Sequence, residues 1–181
     1  GSRWDPALKS PLNEIGNEVK DGEWIVAVAG KPVAEMPNIL GALVNKVGKQ
    51  VNLKIKSNPE NRDPGRTIIV VPIADEAALF YHDWVEGNLK KVTEATGGKV
   101  GYLHVPDMLA NGLNQFATYF YPQVRKKALI IDMRGNGGGN VSPMLIERLR
   151  REIAMITIAR GSVPRTSPAA MIHGPMVCVM N

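Results

Sequence analysis

The feature that most constrains the fold is an apolar run over residues 128–133 that leads into a glycine-rich loop. A largely apolar run of this length is typical of a strand that is buried on both faces of a parallel sheet. The loop over residues 134–140 contains four glycines, and Ser142 and Pro143 follow as a predicted N-cap and first helical residue. A buried strand, a glycine loop and a helix in this order predict an α/β fold.

The segments on either side of this loop also alternate between strand and helix patterns. Residues 74–96 predict a helical connector that ends at Gly97 and Gly98. Apolar side chains at helical spacing predict two further helices, and short β-prone runs predict strands that pair in parallel with the central one. We expect these helices at residues 109–124 and 143–153, and the strands at residues 100–105, 128–133 and 176–180.

The chain before residue 74 has a different pattern, which predicts a small β-rich unit. Strands are expected at residues 24–29, 51–56 and 67–73 because β-prone or alternating runs there are bounded by turn residues. Residues 36–47 carry apolar side chains at helical spacing, and Gly48 is the expected end of that helix. We therefore predict one domain over residues 1–76 and a second over residues 77–181.

Composition narrows the class of protein. The chain has 181 residues, of which 44% are hydrophobic and 22% charged, a balance typical of a soluble globular protein. Its single cysteine, Cys178, excludes a disulfide framework and a zinc site built from cysteines, and we expect it in the core. No apolar run approaches the roughly 20 residues of a membrane helix. The net charge of +5 comes from scattered basic residues, so we predict no nucleic-acid site.

The glycine loop is the strongest chemical signal, and four interpretations of it remain open. A phosphate-binding P-loop needs Gly-Lys-Ser/Thr, whereas Gly139 is followed by Asn140 and Val141. A dinucleotide fingerprint needs a third glycine at the position of Asn140. An oxyanion hole would use backbone N–H groups to stabilise the charge on a scissile carbonyl. A tight turn without any ligand is the fourth interpretation.

Other candidate residues favour structural roles. The three histidines, His82, His104 and His173, lack metal-ligand spacing, and we expect them on a helix face, within a strand and in a loop, respectively. No metal and no cofactor is predicted. Asp132 and Arg134 are expected to form a buried ion pair or to anchor the loop.

Several motifs resemble the C-terminal processing peptidase family, and in particular its tricorn-like members. The second half of the chain carries WVE at 84–86, GYLHVPDM at 101–108, GLN at 112–114, DMRGNGGGNVS at 132–142 and HGPMVCVMN at 173–181. The first half resembles the PDZ domain of such proteases through DGEWIVAVAGKPV at 21–33. The resemblance implies a partial crotonase/ClpP-like core preceded by a small PDZ-like domain with one main helix, whose first strand would precede Gly1.

The resemblance also implies a function. Its members are serine peptidases, and the intact protein would hydrolyse short or unfolded peptides as an endopeptidase or carboxypeptidase-processing enzyme. The nucleophilic serine would follow Asn181 and the histidine base would precede Gly1, so neither lies in this chain, and the chain alone is expected to be inactive. The apolar run 176–180 has no turn or cap after it, which predicts a piece of a longer protein.

Site residues follow from the same resemblance. Gly139 matches the glycine whose backbone N–H forms the oxyanion hole, and Gly138 shapes the loop beside it. Gly137 and Asn140 would bind substrate. Thr157 stands where an acid favours cleavage after basic residues, so such a preference is not expected here.

Partners, compartment and alternatives complete the expectations. Tricorn-type enzymes form homo-oligomeric hexamers in the cytoplasm, with export as the alternative, and no contact with nucleic acid or membrane is expected. A non-catalytic PDZ-containing peptide-binding scaffold with a degenerate peptidase fold is the alternative function. A nucleotide-binding α/β domain is the third hypothesis. Gly1 and Ser2 are either native or a cloning remnant.

Overall fold

The computed structural model describes Asp5, residues 8–60 and residues 62–181. Gly1 and Ser2, on which the question of a cloning remnant rests, lie outside the described residues. The chain divides into two compact units, residues 1–84 and residues 85–181. In the described part of the chain, no helix is both long enough and apolar enough to cross a membrane.

The first unit is built on a four-stranded antiparallel sheet. Its strands are β1 (Trp24–Val28), β2 (Lys31–Pro32), β3 (Val51–Lys56) and β4 (Arg66–Val70). Their order in the sheet is β2-β1-β3-β4. Apolar and polar residues alternate along β3, and its apolar side chains Val51, Leu53 and Ile55 are buried. They pack with Val28, Ile68 and Val70 into one hydrophobic cluster, as the alternating pattern predicts.

The helix expected over residues 36–47 is shorter and of a different type. Residues Ile39–Leu43 form a 3-10 helix, whose first turn is capped by Asn38 Oδ1 accepting the N–H of Leu40 at 2.8 Å. The helix stops because Val44 returns to a ψ of 131° and Asn45 takes a φ of +59°. The apolar spacing therefore predicted the helical segment correctly but overestimated its length.

One long helix, α1 (Ala77–Ala95), crosses the division between the two units. It confirms the predicted helical connector. Gly97 and Gly98 follow it with φ values of +57° and +73°, and the N–H of Gly98 donates to the carbonyl of Thr93 at 2.8 Å. A glycine in this left-handed conformation commonly ends a helix.

Besides the C-terminal part of α1, the described second unit contains a three-stranded parallel sheet, a two-stranded hairpin and two α-helices. In chain order its elements are β5 (Val100–His104), α2 (Ala110–Phe120), β6 (Ala128–Asp132), α3 (Ser142–Leu149), β7 (Met155–Thr157), β8 (Arg165–Ser167) and β9 (Met176–Val179). The sheet order is β5-β6-β9, which confirms the predicted parallel pairing with the apolar run at its centre. Its core is formed by Leu103, Val105, Phe116, Phe120, Leu129, Ile131, Leu145 and Ile172.

Local expectations about α3 and Cys178 are wrong. The N-cap of α3 is Val141 rather than Ser142, no described side chain caps that helix, and it ends at Leu149 rather than at residue 153. Cys178 is exposed rather than in the core, because β9 pairs with β6 alone among the described strands. The antiparallel hairpin of β7 and β8 was not predicted, since its residues are exposed and show no alternation that marks a buried face.

Candidate functional site

An ion pair at the end of β6 anchors the start of the glycine loop. Asp132 is only 1% exposed, and its carboxylate accepts hydrogen bonds from the backbone N–H of Arg134 at 3.0 Å and from Arg134 Nη2 at 2.6 Å. Burial by itself would raise the pKa of Asp132, but these donors stabilise the carboxylate more strongly and lower its pKa to about 2. The expected ion pair is therefore present as a loop anchor with one buried and one half-exposed partner.

Tyr102 and His104 of β5 also contact the two residues of this ion pair. The hydroxyl of Tyr102 donates to Asp132 Oδ2 at 2.8 Å, and burial together with that carboxylate raises the pKa of Tyr102 to about 12. His104 is buried, and its Nε2 donates to the carbonyl of Arg134 at 2.9 Å. His104 thus has the structural role that its position within a strand predicts.

Asn136 ties the middle of the loop to the segment that follows β5. Its Nδ2 donates to the carbonyl of Val105 at 2.9 Å, and its Oδ1 accepts the N–H of Gly138 at 2.8 Å. The N–H of Gly137 donates to the carbonyl of Pro106 at 3.1 Å. The N–H groups of Gly137 and Gly138 are therefore both used inside the protein and are not free to bind a ligand.

Gly139 is held by a short parallel bridge to Met108. The N–H of Met108 donates to the carbonyl of Gly138 at 2.8 Å, and the carbonyl of Met108 accepts the N–H of Asn140 at 2.7 Å. The bridge uses the peptide groups on either side of Gly139. An added Cβ at Gly139 would overlap the Met108 carbonyl, and its φ of +142° is unfavourable for any other residue.

The bridge leaves the N–H of Gly139 available. Within residues 8–60 and 62–181, that N–H has no hydrogen-bond acceptor, and Gly139 is exposed. A fixed, exposed and unpaired N–H is the type of donor that can stabilise an oxyanion. Of the three loop glycines 137, 138 and 139, only the last therefore has its donor free in the described structure.

Asp107 holds the turn that contains Met108, and neither residue was assigned a role from the sequence. Asp107 Oδ1 accepts the N–H groups of Leu109 at 2.9 Å and Gly112 at 2.8 Å, which fixes the turn into α2. The residue at 112 must be glycine, because an added Cβ would overlap the carbonyl of Asp107. The sequence does contain a signal for this turn, because an aspartate stands five residues before a glycine at the predicted helix start.

The end of β9 lies against the same loop. The N–H of Met133 donates to the carbonyl of Val179 at 2.8 Å, and the N–H of Gly135 donates to Asn181 Oδ1 at 3.0 Å. The strand therefore runs toward the glycine loop at its carboxyl end. In α/β sheets, this end of the strands is where ligands bind.

Thr157 is not joined to the loop by any hydrogen bond in the described part of the chain. It is exposed in β7 and lies opposite Arg165 of β8. By contrast, an apolar cavity of about 260 Å³ adjoins the loop. Met108, Met133, Leu145 and Cys178 are among the residues that line it, so an apolar side chain could occupy it.

Comparison with known protein families gives two matches. A model described as the tricorn protease PDZ domain matches residues 1–75, and a model described as peptidase family S41 matches residues 99–181. Together they cover most of the chain, in the order that the motifs predicted.

Individual proteins are similar over almost the whole chain. Tricorn protease homolog 1 of Streptomyces coelicolor is 40% identical over 98% of this chain, and the tricorn protease of Thermoplasma volcanium is 32% identical over 96%. A crystal structure of the tricorn protease superposes with a TM-score of 0.84 and 28% identity over 98% of this chain. The chain spans 16% of the length of each of these two relatives and 17% of that structure.

Proposed function

We propose that this chain, which belongs to the tricorn-like proteases, supplies the oxyanion-binding loop of a serine peptidase. It has a PDZ domain of the tricorn type and part of a family S41 peptidase domain. The observation that carries the proposal is the exposed N–H of Gly139, which has no partner among the described residues and belongs to a loop held from both sides. Fixed donors of this kind are among the largest single contributions to acyl-transfer catalysis.

In the proposed mechanism, a serine attacks the peptide carbonyl and a histidine accepts its proton. Negative charge then develops on the carbonyl oxygen, where the N–H of Gly139 donates a hydrogen bond to it. The histidine returns the proton to the leaving amine. We expect the serine shortly after Asn181 and the histidine before Gly1, and the approach of Asn181 to the loop supports that placement of the serine.

The remaining residues of the loop have supporting roles. Gly138 lets the chain turn with a φ of +80°, and Gly137 and Asn140 would lie along the substrate. The ion pair of Asp132 and Arg134 holds the loop rather than transferring protons. The pKa of Asp132 is about 2 and that of Tyr102 about 12, so neither changes its charge near neutral pH.

Short or unfolded peptides are the proposed substrates. Thr157 carries no charge that would favour a basic residue, and the 260 Å³ apolar cavity beside the loop supports a preference for an apolar residue before the scissile bond. Residues 1–76 form the proposed PDZ domain and residues 77–181 the partial peptidase domain. We further propose assembly as a homo-hexamer in the cytoplasm, with export as the alternative.

Labelling of the full-length protein with a fluorophosphonate probe, followed by mass spectrometry, tests the proposal. A label on a serine shortly after Asn181, together with hydrolysis of unstructured peptides, is the expected result. The isolated 181-residue chain should show neither. Folded full-length protein without label or hydrolysis would instead support the non-catalytic peptide-binding scaffold.

A further inference from the structure

A strongly basic cavity lies at the end of the parallel sheet that is opposite to the glycine loop. Its volume is about 730 Å³, and it is bordered by the segments that lead into β6 and β9 and by β8. The five residues of β6, at about 3.3 Å each, separate the two ends of the sheet by roughly 16 Å. The cavity is therefore distinct from the proposed oxyanion site.

The cations of this cavity are not neutralised by neighbouring acids. Arg125, Lys127 and Arg165 line it and are exposed, and none of them forms an ion pair among the described residues. His173 lies in the same lining, and Lys126 Nζ is held by the carbonyl of Gly98 at 2.6 Å. No aspartate or glutamate of the described chain lines the cavity, so it favours an anionic occupant.

The apolar part of the lining narrows the kind of anion. Val124, Ala169 and Met171 are in the same lining, and Met171 is buried. The cavity is much larger than a phosphate ion, and its described lining contains no Phe, Tyr or Trp side chain on which a nucleic-acid base could stack. A peptide that carries both carboxylates and aliphatic side chains can bind the arginine side chains through the former and contact the apolar part of the lining through the latter.

We propose that this cavity is a second binding site for acidic peptide segments, with Arg125, Lys127 and Arg165 as the residues that contact the carboxylates. The site is independent of the peptidase chemistry proposed above. It would hold a glutamate- or aspartate-rich stretch of a substrate or partner away from the scissile bond.

Fluorescence anisotropy with the 181-residue chain tests this inference directly. The probe is a fluorescein-labelled peptide of alternating glutamate and leucine, and the matched probe carries glutamine in place of each glutamate. We expect the glutamate peptide to bind at least tenfold more tightly at low salt. Equal affinity for the two peptides would overturn the proposal.

Two double variants distinguish binding in the cavity from non-specific electrostatic attraction to the protein. Arg125→Gln with Arg165→Gln removes two cations from the cavity, whereas Lys91→Gln with Arg150→Gln removes two exposed cations that do not line it. The first should weaken binding of the glutamate peptide about tenfold or more, and the second by less than twofold. Equal losses would show non-specific attraction and contradict the proposal.

Two competitors identify the kind of anion. Inorganic phosphate at millimolar concentration and a single-stranded oligonucleotide of equal charge should displace the peptide poorly. Displacement by phosphate at the concentration of unlabelled peptide would reassign the cavity to small anions. Displacement by the oligonucleotide at lower concentration would reassign it to nucleic acid, and either result overturns the peptide assignment. Circular dichroism of each variant verifies that it is folded.

Discussion

Two segments of the second unit carry the residues that the family resemblance singles out, and they are held very differently. The glycine loop is fixed at its start by Asp132, in its middle by Asn136 and at its end by the bridge to Met108. Among the described residues, the hydrogen bonds of the β7–β8 hairpin, which carries Thr157, all lie within the hairpin itself, and all three residues of β7 are exposed.

This difference teaches which kinds of role each segment can perform. An oxyanion donor must already be in place when charge develops, and its position must be held within a fraction of an ångström. A side chain that selects among substrates can sit on a segment with few contacts. We therefore expect substitutions in the loop to have large effects and substitutions in the hairpin to have small ones.

The largest effect is expected at Gly139. Replacement by alanine places a Cβ against the Met108 carbonyl and disfavours the φ of +142°, so the loop must move and its N–H with it. We expect Gly139→Ala to lower kcat of the full-length protein by about 10²- to 10³-fold, the usual cost of losing an oxyanion donor.

Gly137→Ala is the matched control for that substitution. An added Cβ at Gly137 meets no atom within 4 Å, and its φ is outside the positive region. Because Gly137 is proposed to lie along the substrate, any loss should appear in KM, whereas kcat of Gly137→Ala should stay within a fewfold of the parent protein. Similar losses in both variants would break the distinction between the two glycines.

Asp132→Asn should have the largest effect on stability. The substitution removes the charge from a buried acceptor, and a hydrogen bond to a charged group contributes about 1.5–3 kcal/mol. Arg134 is half-exposed, so water partly replaces its lost partner, and we expect a loss of about 2–3 kcal/mol. Urea unfolding followed by circular dichroism at pH 7 measures the change in the free energy of unfolding. A loss below about 1 kcal/mol would mean that the pair does not anchor the loop.

The same residue predicts a dependence on pH. The pKa of Asp132 is about 2 in the folded protein, against an ordinary value of 3.8. A lowered pKa stabilises the fold fully above the unfolded pKa near 4, and this stabilisation is lost as the pH falls toward 2. The parent protein should lose about 2 kcal/mol more than Asp132→Asn between pH 4 and pH 2. Parallel pH profiles would argue against a lowered pKa.

Asn136→Ala should have an intermediate effect. It removes the hydrogen bonds to the carbonyl of Val105 and from the N–H of Gly138, and each contributes about 0.5–1.5 kcal/mol. We expect a loss of about 1–2 kcal/mol in urea unfolding and faster hydrogen exchange at Gly138. Unchanged exchange at that amide would show that Asn136 does not hold the loop.

Thr157→Asp should have the smallest effect on stability. The position is exposed, so the free energy of unfolding should change by less than about 0.5–1 kcal/mol. An ion pair between the new aspartate and Arg165, which lies opposite, would make this change stabilising. In the full-length protein, the ratio of kcat/KM for peptides with lysine rather than leucine before the scissile bond should rise severalfold, and Thr157→Asn is the neutral control. An unchanged ratio would exclude the hairpin from substrate selection.

The sequence was informative where local patterns are strong. The apolar run over residues 128–133 predicted the central parallel strand, and the motifs around the glycine loop identified the family, both of which are confirmed. Alternation in residues 51–56 predicted β3 and its buried face. These features depend on periodicity and on short motifs, which a single sequence displays.

Two features could not be predicted, because they depend on contacts distant in sequence. Cys178 is apolar in sequence context, but its exposure depends on which strand lies beside β9. The availability of the Gly139 N–H depends on Met108, which is about thirty residues away and showed no chemical signal of its own. The roles of Gly137, Gly138, Gly139, Asn140 and Thr157 stay predictions.

A crystal structure of the full-length protein inhibited by a peptidyl phosphonate would test the central claim most directly. The phosphonate oxygen stands in for the oxyanion of the tetrahedral intermediate. We predict that this oxygen lies 2.7–3.1 Å from the backbone nitrogen of Gly139, as is typical of an oxyanion donor, while the bridge to Met108 is retained. An inhibitor bonded to serine whose oxygen faces other donors, with the Gly139 N–H turned away, would contradict the account.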